Sequence, residues 1–263
     1  MDEKKSHFAL WSSFSAPLII SAYVPELTQD ELSYLTNKDI IAIDQDALTL
    51  QATLVSQDGY FDVLTKSLSN GDRLLTVLNK GDESNTTTVK TERIGLKKGG
   101  SYSFKDLWTG ETTRVTGSID VSLATHATAI YRISGVKTVT PTGMIFNTAS
   151  LKCMTASGSA ISFAECSGSD EQVWQASSSG TISPLSSSTQ CLDVSNGKAK
   201  LGGCNMQKSS SKWIYHVTGN LINAATGKCL QESGNYVGKC GEERDRQVFG
   251  LPSGVEVVRS NTV

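Results

Sequence analysis

The sequence predicts a mainly β protein: a short α/β segment, then an antiparallel β-sandwich, then a β barrel with pseudo-threefold symmetry. Three observations predict it. All six cysteines lie in the last third, as the pairs 153/166, 191/204 and 229/240, whose first members recur at even spacing. From about residue 51 to 136 the apolar residues alternate with polar ones, the period of half-buried strands. Before residue 50 the pattern is helical, broken by one short, wholly apolar run.

The cysteine pairs belong to an internal repeat. Gly143-Met-Ile-Phe-Asn-Thr-Ala-Ser-Leu-Lys-Cys153 echoes Gly219-Asn-Leu-Ile-Asn-Ala-Ala-Thr-Gly-Lys-Cys229, and Gly180-Thr-Ile-Ser-Pro-Leu leads towards Cys191 between them. Each unit ends on an aromatic: Trp174, Trp213 or Phe249. Units too short to bury a core alone must share one. Cysteines confined to one region at matched spacings read as a disulfide framework. Sequence alone allows many connectivities, and the repeat favours one bridge inside each unit: Cys153–Cys166, Cys191–Cys204 and Cys229–Cys240. The spacings are not the short Cys-x-x-Cys of zinc sites, so no metal is expected.

The tripled cysteine pairs and the Gln-x-aromatic closures resemble the ricin-B type β-trefoil lectin family. Gln172-Val173-Trp174 is intact, Gln247-Val248-Phe249 carries Phe for Trp, and Ser211-Lys212-Trp213 has lost the Gln. The resemblance places a trefoil of three repeats at 143–251, after a linker at 137–142 and before a tail at 252–263.

Along the rest of the chain, residues 3–16 read as a helix with Phe8, Leu10, Trp11 and Phe14 as apolar positions, ended by Pro17. Pro17-Leu-Ile-Ile-Ser21 reads as a strand buried on both faces. Thr28-Gln-Asp-Glu31 is a capping box opening a second helix through Leu35. Gly59–Leu64, Arg73–Leu78, Tyr102–Trp108 and Ala127–Ile133 are strand candidates. Asn70-Gly71 and Thr109-Gly110 mark hairpin turns. The apolar residues of 1–50 are patterned for a partner, so that segment is expected to be exposed or to lie against the sandwich, and to be the weak point of the chain.

Residues 1–136 also resemble a family. Ala9-Leu-Trp-Ser-Ser-Phe-Ser-Ala-Pro-Leu-Ile-Ile-Ser21, Leu35-Thr-Asn-Lys-Asp-Ile-Ile-Ala-Ile-Asp-Gln-Asp46 and Lys105-Asp-Leu-Trp-Thr-Gly110 look like the C-terminal part of an α-galactosidase (melibiase-type) glycoside hydrolase of the secreted fungal kind. The resemblance implies that 1–50 is the remnant of a TIM barrel end and 51–136 the sandwich that follows such barrels. It implies hydrolysis of terminal α-D-galactosyl residues from galactosides and galactomannans. Retaining hydrolysis needs a carboxylate pair, and the family's two aspartates lie on earlier barrel strands. No catalytic residue is therefore carried over, and the natural beginning is expected to be missing. Asp39, Asp44 and Asp46 read as a helix end and a loop. His7, His126 and His216 form no constellation.

Sugar binding is the remaining chemistry. The lectin resemblance implies an Asp two residues after the first Cys and an aromatic platform before the second; carboxylate and ring grip opposite aspects of a sugar. Only the second unit keeps the Asp, as Asp193; the others have Thr155 and Gln231. The platform positions are Ala164, Gly202 and Gly238, so none is aromatic. Asp193, Asn196 in the turn that follows and Tyr236 are the candidate carbohydrate contacts. The alternative is that Asp193 caps its own turn through Ser195 or Asn196 and the trefoil is structural. Two functions thus stay open: an α-galactosidase portion, or a non-catalytic carbohydrate-binding accessory protein.

Composition bounds the partners. The formal charge is -2, and no long run of either sign marks a nucleic-acid or membrane surface. No cofactor is expected. The cysteines and one sequon at Asn85 point to a secreted glycoprotein, although the N-terminal stretch is not a signal peptide.

Overall fold

The computed structural model describes residues 1–259. The chain divides into two compact units, one spanning Met1–Val139 and the other beginning at Thr140.

The first unit opens with helices α1 (Asp2–Ser13), α2 (Gln29–Leu35) and α3 (Lys38–Asp44). α1 starts with Asp2 and Glu3, whose charges suit the positive end of its dipole. α2 has the full capping box: Thr28 Oγ1 accepts from the Glu31 amide, and the Glu31 carboxylate accepts from the Thr28 amide. Asn37 caps α3 by accepting from the Ile40 amide.

Eight strands follow: β1 (Thr53–Gln57), β2 (Phe61–Ser67), β3 (Arg73–Asn79), β4 (Asn85–Lys90), β5 (Ser101–Asp106), β6 (Thr112–Thr116), β7 (Ser118–Leu123) and β8 (Thr128–Ser134). Six form an antiparallel sheet in the order β1-β2-β3-β8-β5-β6, and β4 pairs with β7 as a second sheet. Both expected hairpin turns are present, with Gly71 and Gly110 at φ +87° and +80°, a conformation that favours glycine. One sheet face buries Val55, Val63, Val77, Phe104, Ala129 and Ile133 with Val89 and Val121 of the second sheet. The opposite face buries Leu74 and Ile130 against Phe8, Ala9, Tyr34, Ile40 and Ile43 of the helices. β3 is therefore buried on both faces, and its run Leu74-Leu75-Thr76-Val77 does not alternate.

One finding corrects the sequence reading. Residues 17–21 form no strand. A strand buried on both faces needs neighbours to accept and donate its backbone hydrogen bonds, and none of β1–β8 pairs with it. Ile19, Ile20, Tyr23 and Val24 are left 47–72% exposed. The helices, in contrast, lie against the sandwich, one of the two outcomes that the sequence leaves open.

Two cations in this unit are fully buried. Lys66 Nζ donates to Ile43 O (2.9 Å), Ser15 Oγ (2.7 Å) and Ser12 O (3.3 Å), satisfying carbonyls in the last turns of α3 and α1. Arg73 donates from Nε to Ile94 O (3.0 Å) and from Nη1 to Ser67 Oγ (2.8 Å).

The second unit contains β9 (Thr142–Met144), β10 (Phe146–Asn147), β11 (Cys153–Ser157), β12 (Ala160–Ala164), β13 (Val173–Ala176), β14 (Ile182–Pro184), β15 (Gln190–Ser195), β16 (Lys198–Gly203), β17 (Trp213–His216), β18 (Leu221–Asn223), β19 (Cys229–Leu230), β20 (Val237–Gly238), β21 (Phe249–Gly250) and β22 (Val257–Val258). The threefold repeat is visible in equivalent registers: Cys153 faces Ala164, Cys191 faces Gly202 and Cys229 faces Gly238. Each hairpin is closed by its own disulfide, 153–166, 191–204 and 229–240, with Cα separations of 4.8–5.2 Å. One core joins the three repeats: Met154, Trp174, Leu192, Trp213, Leu230 and Phe249 are all buried in it. Trp174 Nε1 donates to Met154 O (2.8 Å) and Trp213 Nε1 to Leu192 O (2.9 Å), the same bond in two repeats. The start of the 252–263 tail folds back, with β22 parallel to β17; residues 260–263 lie outside the described residues.

Candidate functional site

The hairpin β15–β16, anchored by the Cys191–Cys204 bridge, carries Asp193 opposite Lys200. Its turn is Asn196-Gly197, with φ of +53° and +72°, the Asn-Gly chemistry of a two-residue hairpin. Asp193 Oδ1 accepts from Ser210 Oγ (2.6 Å) and from the Val194 amide (2.9 Å), and Oδ2 accepts from Lys208 Nζ (2.5 Å). The Asp193 side chain is 6% exposed and that of Lys208 is 50% exposed, so the lysine covers the carboxylate. Burial pushes the Asp193 carboxyl up, but the Lys208 and Ser210 hydrogen bonds and the Lys208 charge outweigh it and hold the group below its usual range. Gly202 lies beside the carboxylate, where a Cβ would stand 3.3 Å from Oδ2. Besides the adjacent Val194 amide, the partners of Asp193 are on the segment after Cys204, and neither Ser195 nor Asn196 is among them.

Tyr236 lies beside the turn end of this hairpin, which carries Asn196. Lys198 bridges to Tyr236, and the Val237 amide donates to Gly197 O (3.0 Å). Lys198 Nζ sits 4.7 Å from the Tyr236 ring centroid, a cation–π contact. The half-exposed ring thus has an ammonium on one face. The fold brings Tyr236 to the Asn196 turn but engages Asp193 through a different segment. Sequence reasoning missed Lys208 and Ser210, because they reach Asp193 across a loop whose length carries no pattern.

The equivalent positions in the other repeats are filled by neutral side chains. Thr155 Oγ1 accepts from Gln172 Nε2 (3.0 Å). Gln231 lies over Gly238, where a Cβ would come within 2.5 Å of its Nε2.

The remaining candidates have structural partners. Asp39 pairs with Lys105 (2.7 Å), Asp44 is buried and accepts from Gln45, and Asp46 accepts from the amide and hydroxyl of Ser69. His7 stacks on Trp11, His126 Nδ1 lies 2.8 Å from Glu3, and His216 Nδ1 bonds Thr218. Among the described residues no cluster of His, Cys, Asp or Glu could hold a metal ion, and no helix is long and apolar enough to cross a membrane. Asn85 opens β4, half-buried, with its amide donating to Glu83 O (3.1 Å).

Comparison with known proteins decides the relationship. Residues 141–249 match the ricin-type β-trefoil lectin domain, and residues 58–133 match the α-galactosidase C-terminal β-sandwich domain. α-Galactosidase A of Aspergillus niger is 51% identical over 262 residues, covering 97% of this chain and 48% of that protein. The chain is similar to the C-terminal region of fungal α-galactosidases. A probable α-galactosidase A of Aspergillus fumigatus is 48% identical over 261 residues, covering 98% of this chain and 48% of that protein. The chain therefore spans about half the length of these α-galactosidase relatives. The crystal structure of α-galactosidase I from Mortierella vinacea aligns with a TM-score of 0.50 at 21% identity, over 52% of this chain and 37% of that one, a likeness of fold alone.

Proposed function

We propose that this chain is the carbohydrate-binding, non-catalytic portion of a secreted α-galactosidase that removes terminal α-D-galactosyl residues from galactosides and galactomannans. The observation that carries this reading is the pairing of an α-galactosidase sandwich with a ricin-type trefoil in a chain half identical to fungal α-galactosidases over nearly its whole length. Retaining hydrolysis needs two carboxyls about 5–5.5 Å apart. Asp39, Asp44 and Asp46 are held by other partners, so the pair would come from the half of such enzymes that this chain does not span.

The trefoil's part is to hold galactoside chains through Asp193. Its carboxylate can accept hydrogen bonds from adjacent sugar hydroxyls once Lys208 moves aside, and Asn196 and Tyr236 border the same hairpin. With no ring over the sugar's apolar face, affinity is expected to be millimolar, about -4 kcal/mol. The three disulfides and Asn85, as a glycosylation acceptor, fit an extracellular setting.

Two measurements test the proposal. Purified 263-residue chain should show no turnover of an aryl α-galactoside; activity that survives repurification refutes it. Amide shifts of the isotope-labelled chain should saturate around residues 191–210 with galactose or lactose, and vanish in Asp193→Asn. An absence of shifts at ~50 mM sugar, well above a millimolar dissociation constant, removes the binding role.

A further inference from the structure

Two loops of the first unit meet. One is the turn Asp58-Gly59-Tyr60 between β1 and β2; the other, residues 80–84, leads from β3 into β4. Lys80 clips them together. Its amide donates to Tyr60 O (2.6 Å), its Nζ donates to Asp58 O (2.9 Å), and Nζ also pairs with Asp62 (2.8 Å). Each loop is fixed internally as well. Asp58 Oδ1 accepts from the Tyr60 and Phe61 amides (2.7 and 2.6 Å). The buried Asn79 accepts from the Gly81 amide (3.0 Å) and donates to Glu83 O (2.8 Å). Tyr60 is nevertheless 59% exposed, a large ring carried on a braced turn and not used by the core.

A gap separates that ring from Asn85. A Cβ built on Gly81 would stand 3.1 Å from Tyr60 Cδ1 and 3.3 Å from Asn85 Nδ2. The ring and the amide nitrogen therefore flank one opening, within a sugar's reach of each other, and a glycine keeps it open. Asn85-Thr86-Thr87 has the acceptor pattern for N-glycosylation. That reaction joins C1 of an acetamido sugar to Nδ2. One Nδ2 hydrogen leaves as a proton, and a lipid-linked diphosphate departs from C1. Nδ2 has two hydrogens. One is given to Glu83 O (3.1 Å), so the second is the one the sugar replaces.

We infer that Tyr60 is the platform on which the first sugar of an Asn85-linked glycan stacks. The inference rests on reading Asn85 as a glycosylation acceptor, and it is independent of any sugar binding by the trefoil. A pyranose carries an apolar C–H surface that an aromatic face covers. Such a contact is too weak to retain a free sugar, but a sugar tethered to Asn85 is held at high effective concentration. The stacked sugar would tie the β1–β2 turn to the start of β4 and restrain the loop between them. Exposure of Tyr60 is then a requirement of the site, and the bare Cα of Gly81 is what lets the sugar lie between nitrogen and ring.

The test uses the full chain secreted from a glycosylating eukaryotic host, as wild type, Tyr60→Ala, Tyr60→Phe, Thr87→Ala and the Tyr60→Ala/Thr87→Ala double variant. Thr87→Ala abolishes the acceptor pattern and leaves Asn85 in place. Peptide mass mapping first reads occupancy of Asn85. Amide hydrogen exchange at residues 81–87 then reads the stacking. The glycan is expected to slow exchange there roughly five-fold, in the range of a single aromatic contact. Trimming with an endoglycosidase that leaves only the first sugar should keep that protection. Tyr60→Phe should keep it too, whereas Tyr60→Ala should lose it, exchanging at the rate of the double variant. Equal glycan protection in wild type and Tyr60→Ala, with Asn85 occupied, overturns the inference alone. Loss of protection on trimming to the first sugar, or in Tyr60→Phe, also overturns it. An unmodified Asn85 in the secreted, folded chain overturns the glycosylation reading and the inference with it.

Discussion

The ammonium of Lys208 lies 2.5 Å from Oδ2 of Asp193 and screens it from solvent. A sugar hydroxyl must displace a charged donor to reach that oxygen, and charge-assisted hydrogen bonds are stronger than neutral ones. Lys208→Met removes the competitor without adding charge. Galactose affinity, followed by amide shifts, is expected to rise several-fold, on the order of 1 kcal/mol. A fall in affinity would make Lys208 a sugar contact in its own right.

Two of the three repeats share a brace that the second lacks. Gln172 Nε2 donates to Glu165 O and its Oε1 accepts from the Ser167 amide, on either side of Cys166. Gln247 does the same around Cys240, through Lys239 O and the Gly241 amide. The second repeat has Ser211 there, fully buried and with its hydroxyl unpartnered among the described residues. Ser211→Gln should bridge Gly203 O and the Asn205 amide, and raise stability by about 1 kcal/mol. Gln247→Ala should cost about 2–3 kcal/mol, because it leaves buried backbone groups orphaned. Thermal unfolding of both variants checks the pair; no gain from Ser211→Gln would mean that the loop after Cys204 cannot adopt the braced path.

The sequence made the trefoil legible because its signal is repeated three times, and the turns legible because Asn70-Gly71 and Thr109-Gly110 act locally. What escaped depends on tertiary context. Residues 17–21 have strand composition but no neighbours to pair with. Lys66 and Arg73 are buried, and nothing local in the sequence says that helix ends lie above Lys66. The carboxylate at Asp193 was legible from its place after Cys191, whereas its cover by Lys208 depends on the path of a loop.

Lys66 makes stability depend on pH in a definite direction. Burial lowers its pKa from 10.5 to about 8, with Asp46 and Asp44 opposing. Below pH 8 the group is charged in both folded and unfolded chains, and the cost of burying the charge is fully present. Between about 8 and 10.5 the folded protein has released a proton that the unfolded chain retains, so this group's contribution to stability rises with pH through that window. Denaturant unfolding at pH 7 and 9.5 should show the rise, and Lys66→Met should abolish it. At pH 7 the substitution should also cost roughly 1–3 kcal/mol, since Ile43 O and Ser12 O lose their donor. A rise that persists in Lys66→Met would assign the effect to another group.

The sequence marks the first fifty residues as the weak point of the chain; the packing leads to the opposite expectation. Deleting residues 1–48 strips Phe8, Ala9, Tyr34, Ile40 and Ile43 from the sandwich and uncovers Leu68, Leu74, Leu107 and Ile130, all at most 3% exposed. It also removes all three acceptors of the Lys66 ammonium. The truncated chain is expected to aggregate, or to lose the cooperative unfolding of its first unit while the disulfide-closed trefoil still unfolds as one. In the full chain, Phe8→Ala should lower stability by about 3–5 kcal/mol, as for other buried aromatic truncations. Substitution of exposed Ile19 by Ser should change it by less than ~0.5 kcal/mol. A soluble deletion whose sandwich unfolds cooperatively would show that the sheet closes without its helices, and would restore the segment to a dispensable appendage.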